Sequence, residues 1–79
     1  MPKLPALTGN ELIHVLETLG FRVTRQKGSH VRLFSADGRA ITVPVHENKT
    51  LPKGLLRKII REDMEMSLAD FLHVYKQDK

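Results

Sequence analysis

Residues 21–45 read FRVTRQKGSHVRLFSADGRAITVPV, and the fold follows from this stretch. Apolar and polar residues alternate three times within it, with a break after each of the first two runs. From Phe21 to Lys27, Phe21 and Val23 share one face, and Arg22 and Thr24 take the other. Gly28-Ser29 interrupts that run. From His30 to Ser35, Val31 and Leu33 oppose His30, Arg32 and Phe34. Ala36-Asp37-Gly38-Arg39 follows and contains Asp-Gly, a strong hairpin signal. From Ala40 to Val45, Ile41, Val43 and Val45 alternate with Ala40, Thr42 and Pro44, and the proline marks a strand end or a sheet edge. Three short antiparallel strands with one apolar face are expected.

Helices flank this stretch on both sides. Thr8-Gly9-Asn10-Glu11 has the spacing of a capping box, in which the Thr and Glu side chains satisfy each other's free backbone N–H groups. Leu12, Ile13, Leu16 and Leu19 then fall on one helical face, and Gly20 stands where a left-handed cap favours glycine. Beyond the polar loop His46 to Leu51, Pro52 opens a second helix. Its apolar face is Leu55, Leu56, Ile59 and Ile60, while Lys53, Arg57 and Arg61 recur every four residues on another face. Ser67-Leu68-Ala69-Asp70 begins a short third helix burying Leu68, Phe71 and Leu72. The order α-β-β-β-α with a short terminal helix predicts a single α+β domain over residues 1–79. Two amphipathic helices cover one sheet face and leave the other to solvent or a ligand. This is the layout of the double-stranded-RNA-binding fold.

Composition narrows the function. The chain has 79 residues and no cysteine, which removes disulfides, thiolate metal sites and cysteine nucleophiles. No apolar run approaches the roughly 20 residues that span a bilayer, and Met1 to Glu11 lacks the apolar core of a signal peptide, so a cytoplasmic protein is expected. Between Gly20 and Arg61 there are ten Lys or Arg against two acids, within a formal net charge of +4. Basic charge concentrated in this way is the footprint of a polyanion partner, although a solvated basic surface has the same composition. Aromatics are limited to Phe21, Phe34, Phe71 and Tyr75, with no cluster of the RRM kind. G-x-x-G and G-x-x-x-x-G-K-[ST] are both absent, so neither a KH loop nor a nucleotide-phosphate loop is present. Recognition of RNA shape and backbone fits better than base readout.

Four histidines occur: His14, His30, His46 and His73. None has the spacing of a metal pair, and no metal or other cofactor is expected. His30 stands out. It starts a strand directly after Gly28-Ser29, with Arg25 and Lys27 just before it and Arg32 on its own face. An imidazole exchanges protons near neutrality. Cleavage of RNA needs a base for the ribose 2′-hydroxyl, cations for the phosphate and an acid for the leaving 5′-oxygen. His30 could be the base or the acid. Arg25, Lys27, Gly28, Ser29, Arg32 and Lys53 could hold the phosphate backbone. The same residues also read as a tight connection carrying an exposed histidine. His46, next to Glu47 at the far end of the third strand, is a possible second proton-transfer group, or else a loop residue.

The ordered set Leu19-Gly20-Phe21, Arg25-Gln26-Lys27-Gly28-Ser29-His30, Val43-Pro44-Val45-His46 and Gly54-Leu55-Leu56-Arg57-Lys58-Ile59 resembles the HicA (YcfA-like) toxins of toxin–antitoxin modules. The likeness runs from about Thr8 to Leu72. It implies an mRNA interferase that cleaves RNA and arrests translation, with the histidine of the G-S-H motif, here His30, as the catalytic residue. It also implies a HicB-like antitoxin that binds the toxin and masks the site. Three departures stand out. Val31 replaces the aromatic or second histidine common after the motif. Leu55 replaces the threonine of a Gly-Thr-Leu helix start. Arg61-Glu62-Asp63-Met64 stands where the family often has a glycine. A non-catalytic RNA-binding module of the same fold is the alternative reading, and a domain docking an acidic protein is a further one.

Overall fold

The structure, a computed structural model, describes residues 4–46 and 49–77. Helix α1 is Gly9–Thr18, strands β1, β2 and β3 are Arg22–Lys27, His30–Phe34 and Ala40–Pro44, and helices α2 and α3 are Lys53–Lys58 and Leu68–Gln77. A π-helical turn, Ile59–Asp63, continues α2 without a break. The strands form one antiparallel sheet in the order β1-β2-β3. The helices lie against its apolar face, which is the α+β arrangement of the double-stranded-RNA-binding fold.

Local chemistry sets the ends of α1. The capping box is complete: the Thr8 N–H donates to Glu11 Oε1 at 2.9 Å, and the Glu11 N–H donates to Thr8 Oγ1 at 3.2 Å. At the other end the Phe21 N–H donates to the Leu16 carbonyl and the Gly20 N–H to the Glu17 carbonyl, with Gly20 at φ +96. This pair of bonds is the Schellman motif, whose apolar contact here joins the buried Leu16 and Phe21. It turns the chain directly from α1 into β1.

The core combines Leu12, Val15 and Leu16 of α1, Val31, Leu33, Ile41 and Val43 of the sheet, and Leu56, Ile59, Ile60 and Met64 of α2 and its extension. Phe71 of α3 closes it. No polar side chain is buried among the described residues. The π-turn explains how Met64 reaches this core. The Met64 N–H donates to the Ile59 carbonyl at 2.8 Å, five residues back instead of four. The extra residue turns Arg61 and Glu62 to solvent and brings Met64 in beside Ile60. Helix α3 begins as expected, with the Asp70 N–H donating to Ser67 Oγ at 3.1 Å. It runs ten residues, as long as α1, because Val74 and Tyr75 continue its contact with the core.

The β2–β3 connection is a three-residue loop, Ala36-Asp37-Gly38. The Ser35 N–H donates to the Arg39 carbonyl and the Gly38 N–H to the Ser35 carbonyl. Arg39 then ties this hairpin to the helical layer. Its guanidinium lies over the Phe21 ring, pairs with Asp37 at 2.9 Å and donates to the Met64 carbonyl at 2.7 Å. The Ser35 hydroxyl and Arg39 hold the Asp37 carboxyl down at about 2, from its ordinary 3.8. A lowered carboxyl favours the folded state above its ordinary value, and the benefit is lost as pH falls toward the lowered one. Acid titration of stability from pH 4 down to pH 2 is therefore expected to show a loss of stability that Asp37→Asn removes, read by chemical denaturation at each pH.

Gly9 packs closely against the end of β3. A Cβ at this position would sit 2.5 Å from the Pro44 carbonyl oxygen, which belongs to backbone and cannot rotate away. Gly9→Ala is expected to cost about 1–3 kcal/mol by overpacking, measured by urea denaturation, with Gly54→Ala, where a Cβ meets nothing, as the control.

Candidate functional site

The outer face of the sheet carries the residues singled out by the sequence. Register fixes them in three rows across the strands. Lys27 and Pro44 flank His30, Arg25 and Thr42 flank Arg32, and Arg22 and Ala40 flank Phe34. His30, Arg32, Phe34 and the three β1 cations are all exposed. Val31 and Leu33, one residue out of phase on β2, are buried.

Two local devices create this arrangement. The first is the Gly28-Ser29 turn. Gly28 has φ +59 and Ser29 does not, the sign pattern of a type II′ hairpin, which needs glycine first. With only two residues in the loop, Lys27 and His30 are obliged to pair directly. The second device is a bulge in β1 between Val23 and Arg25. Strict alternation from Val23 would send Arg25 and Lys27 toward the helices. The extra residue, Thr24, restores the phase, so Arg25 and Lys27 join the face of Arg32 and His30 while Val23 stays opposite Leu33. The Thr24 hydroxyl bonds back to the Arg32 carbonyl at 3.4 Å.

Arg32 is the most firmly held cation of the face. Its guanidinium lies 5.2 Å from the Phe34 ring centroid, and its Nη1 donates to Thr42 Oγ1 at 3.1 Å. Cation–π contact and a hydroxyl partner fix the charge in place before any ligand arrives. Thr42 and Phe34 were not among the residues expected to form the site. The alternation that turns His30 outward also turns Phe34 outward, so the signal is present in the sequence.

Ser29 contributes through its backbone. Its carbonyl accepts from the Val45 N–H at 2.6 Å, which ties the turn to the end of β3. His46, the next residue, thus leaves the sheet beside the Gly28-Ser29 turn, and its side chain is exposed. Glu47, expected beside it, lies outside the described residues. Lys53 opens α2 and is exposed in the helical layer. No hydrogen bond or ion pair among the described residues joins it to the strand residues. No three His, Cys, Asp or Glu side chains cluster as potential metal ligands among the described residues, and no helix among them is long and apolar enough to cross a membrane.

Residues 9–63 match the family described as the HicA toxin of bacterial toxin–antitoxin systems. The chain belongs to the HicA toxin family. The matched span begins at the first residue of α1 and ends at the last of the π-turn, so it contains the whole sheet and the Gly28-Ser29-His30 turn. No curated protein matches the chain. Membership makes it a relative of toxins that work opposite an antitoxin.

The turn geometry gives a direct expectation. Gly28→Ala forces an L-residue to φ near +59, at a cost of about 1–2 kcal/mol. Denaturation measurements should show that loss, and Gly28→Asn should recover part of it, because asparagine tolerates this conformation better.

Proposed function

We propose that the chain is the toxin of a HicA/HicB-type module and acts in the cytoplasm as a metal-independent endoribonuclease, an mRNA interferase. RNA lies along the outer sheet face, and His30 is the general acid or base. The observation that carries this reading is the place of His30. It is an exposed imidazole at the mouth of a two-residue turn, paired across the strands with Lys27 and followed on its own face by Arg32 and Arg25.

The reaction follows from these groups. A base takes the proton of the ribose 2′-hydroxyl, and that oxygen attacks the adjacent phosphorus. The bond from phosphorus to the 5′-oxygen of the next nucleotide breaks, and the departing oxygen receives a proton from an acid. The products are a 2′,3′-cyclic phosphate and a 5′-hydroxyl. Lys27, Arg25 and Arg32 hold the phosphate oxygens and stabilise the charge that grows on them. Gly28 leaves the turn without a side chain that could obstruct the sugar–phosphate chain. Ser29 offers a hydroxyl to a phosphate oxygen. Lys53 adds a cation at the start of α2, and His46 is the residue proposed to exchange the second proton. The antitoxin, a HicB-like protein, would mask this face.

The test is purified protein with labelled messenger RNA in the presence of EDTA. Cleavage is expected from the parent protein and a loss of about 100-fold or more from His30→Ala. Binding should weaken steeply with salt, and Arg25→Gln should reduce the log–log salt slope by about 0.7 on single-stranded RNA. RNA binding with no cleavage by either protein would replace the enzyme with a non-catalytic RNA-binding module. Equal cleavage by both would remove His30 from the mechanism.

A further inference from the structure

Phe34 is 39% exposed, and the proposed cleavage chemistry does not use it. Its position is defined by the sheet. It lies on the central strand, on the face of His30, with Arg22 on one side and the small Ala40 on the other. The Arg32 guanidinium covers part of the ring. A shallow depression of about 400 Å³, lined by Gly20, Arg22, Thr24, Phe34, Ser35 and Ala36, opens beside it. The small side chains of Ala36, Ser35 and Ala40, and the lack of one at Gly20, leave space around the ring.

We propose that Phe34 is a stacking platform for one base of single-stranded RNA, set next to the cleavage site on the same sheet face. The proposal rests on the RNA-cleaving reading given above. His30 and Phe34 are four residues apart on one extended strand, about 13 Å at the usual rise. The stacked base therefore belongs to a neighbouring nucleotide and not to the one whose phosphate reacts. Beside this column runs a second one on β1, in which Lys27, Arg25 and Arg22 recur on the outer face in the same rows as His30, Arg32 and Phe34. Cations in one column and an aromatic ring in the next match the two parts of a single strand, its phosphates and its bases. A duplex would keep its bases inside and leave the ring unused.

The ring's surroundings favour a base over a protein side chain. A protein hot spot needs an apolar cluster that shuts out water. Phe34 has cations as neighbours, and Val23, the other exposed large apolar residue among those described, pairs with Leu33 and so faces the opposite side. A guanidinium beside an aromatic ring suits the flat face of a base, because both stack on it.

The test uses the full chain carrying His30→Ala, so that RNA is bound and not cut, and single-stranded RNA with 2-aminopurine at successive positions. The fluorescence of 2-aminopurine should be quenched on binding at one position and remain unquenched there with Phe34→Ala. Affinity should fall roughly 5- to 150-fold with Phe34→Ala and be kept by Phe34→Trp. The salt slope should change by less than that of one lost cation, because the substitution removes a ring and no charge, and Arg32 keeps its bond to Thr42. Phe34→Ala should remain folded at the assay temperature by thermal melting, because the ring is not one of the buried core residues. Unchanged affinity and quenching in Phe34→Ala, with Arg25→Gln still weakening binding, would overturn the platform and leave the RNA reading intact. No RNA binding by the His30→Ala protein or by the parent would overturn both. If antitoxin binding were then lost with Phe34→Ala, the ring would belong to a protein interface.

Discussion

A slip of one residue in the β2 register would exchange Val31 and Leu33 for His30, Arg32 and Phe34. The core would fill with an imidazole and a guanidinium, and the apolar side chains would face water. In this sheet, core and site are opposite sides of a single alternation, so the force that holds the fold also assembles the candidate chemistry. Burial of Val31, Leu33, Ile41 and Val43 against the helices fixes the phase. The two-residue turn at Gly28-Ser29 fixes the pairing, and the bond from the Val45 N–H to the Ser29 carbonyl extends that pairing to the end of β3. A site built this way needs no buried polar network. Its residues are held by backbone pairing, and Arg32 is further fixed by side-chain contacts to Phe34 and Thr42.

The parts legible in the sequence were those governed by local rules. The capping box at Thr8 and Glu11 depends on residues three apart, and the glycine after Leu19 on a single dihedral. The β2 and β3 alternations need only the period of a strand. Each of these appears in the structure as read, as does the α+β layout they add up to. The same alternation placed His30 and Arg32 together on the open face.

The parts that were not legible depend on partners distant in the chain. Nothing local at Thr24 announces a bulge. It arises because the turn fixes the phase at Lys27 while the buried Phe21 fixes the opposite phase at the other end, and the strand must absorb the difference. The π-turn at Ile59–Asp63 likewise needs a reason beyond its own sequence, here the space in the core that Met64 fills. In the sequence Arg39 is one of ten Lys or Arg between Gly20 and Arg61. Its place over Phe21 and its bond to the Met64 carbonyl require knowing that the hairpin tip meets the end of the second helix. Membership of the HicA toxin family added the antitoxin relationship, which no residue-level chemistry supplies.

The bulge has a consequence for solubility. Strand β1 is an edge strand: it pairs with β2 on one side, and its other side presents backbone donors and acceptors that another chain could extend. Such edges seed aggregation unless something interrupts them. Here the bulge breaks the regular ladder midway, and the phase change it introduces lines the outer face with Arg22, Arg25 and Lys27. Two copies meeting edge to edge would bring those charges together. The cations proposed to grip RNA also keep the chain from joining its own kind, so a variant that neutralises them to silence the site gives up part of its protection against self-association.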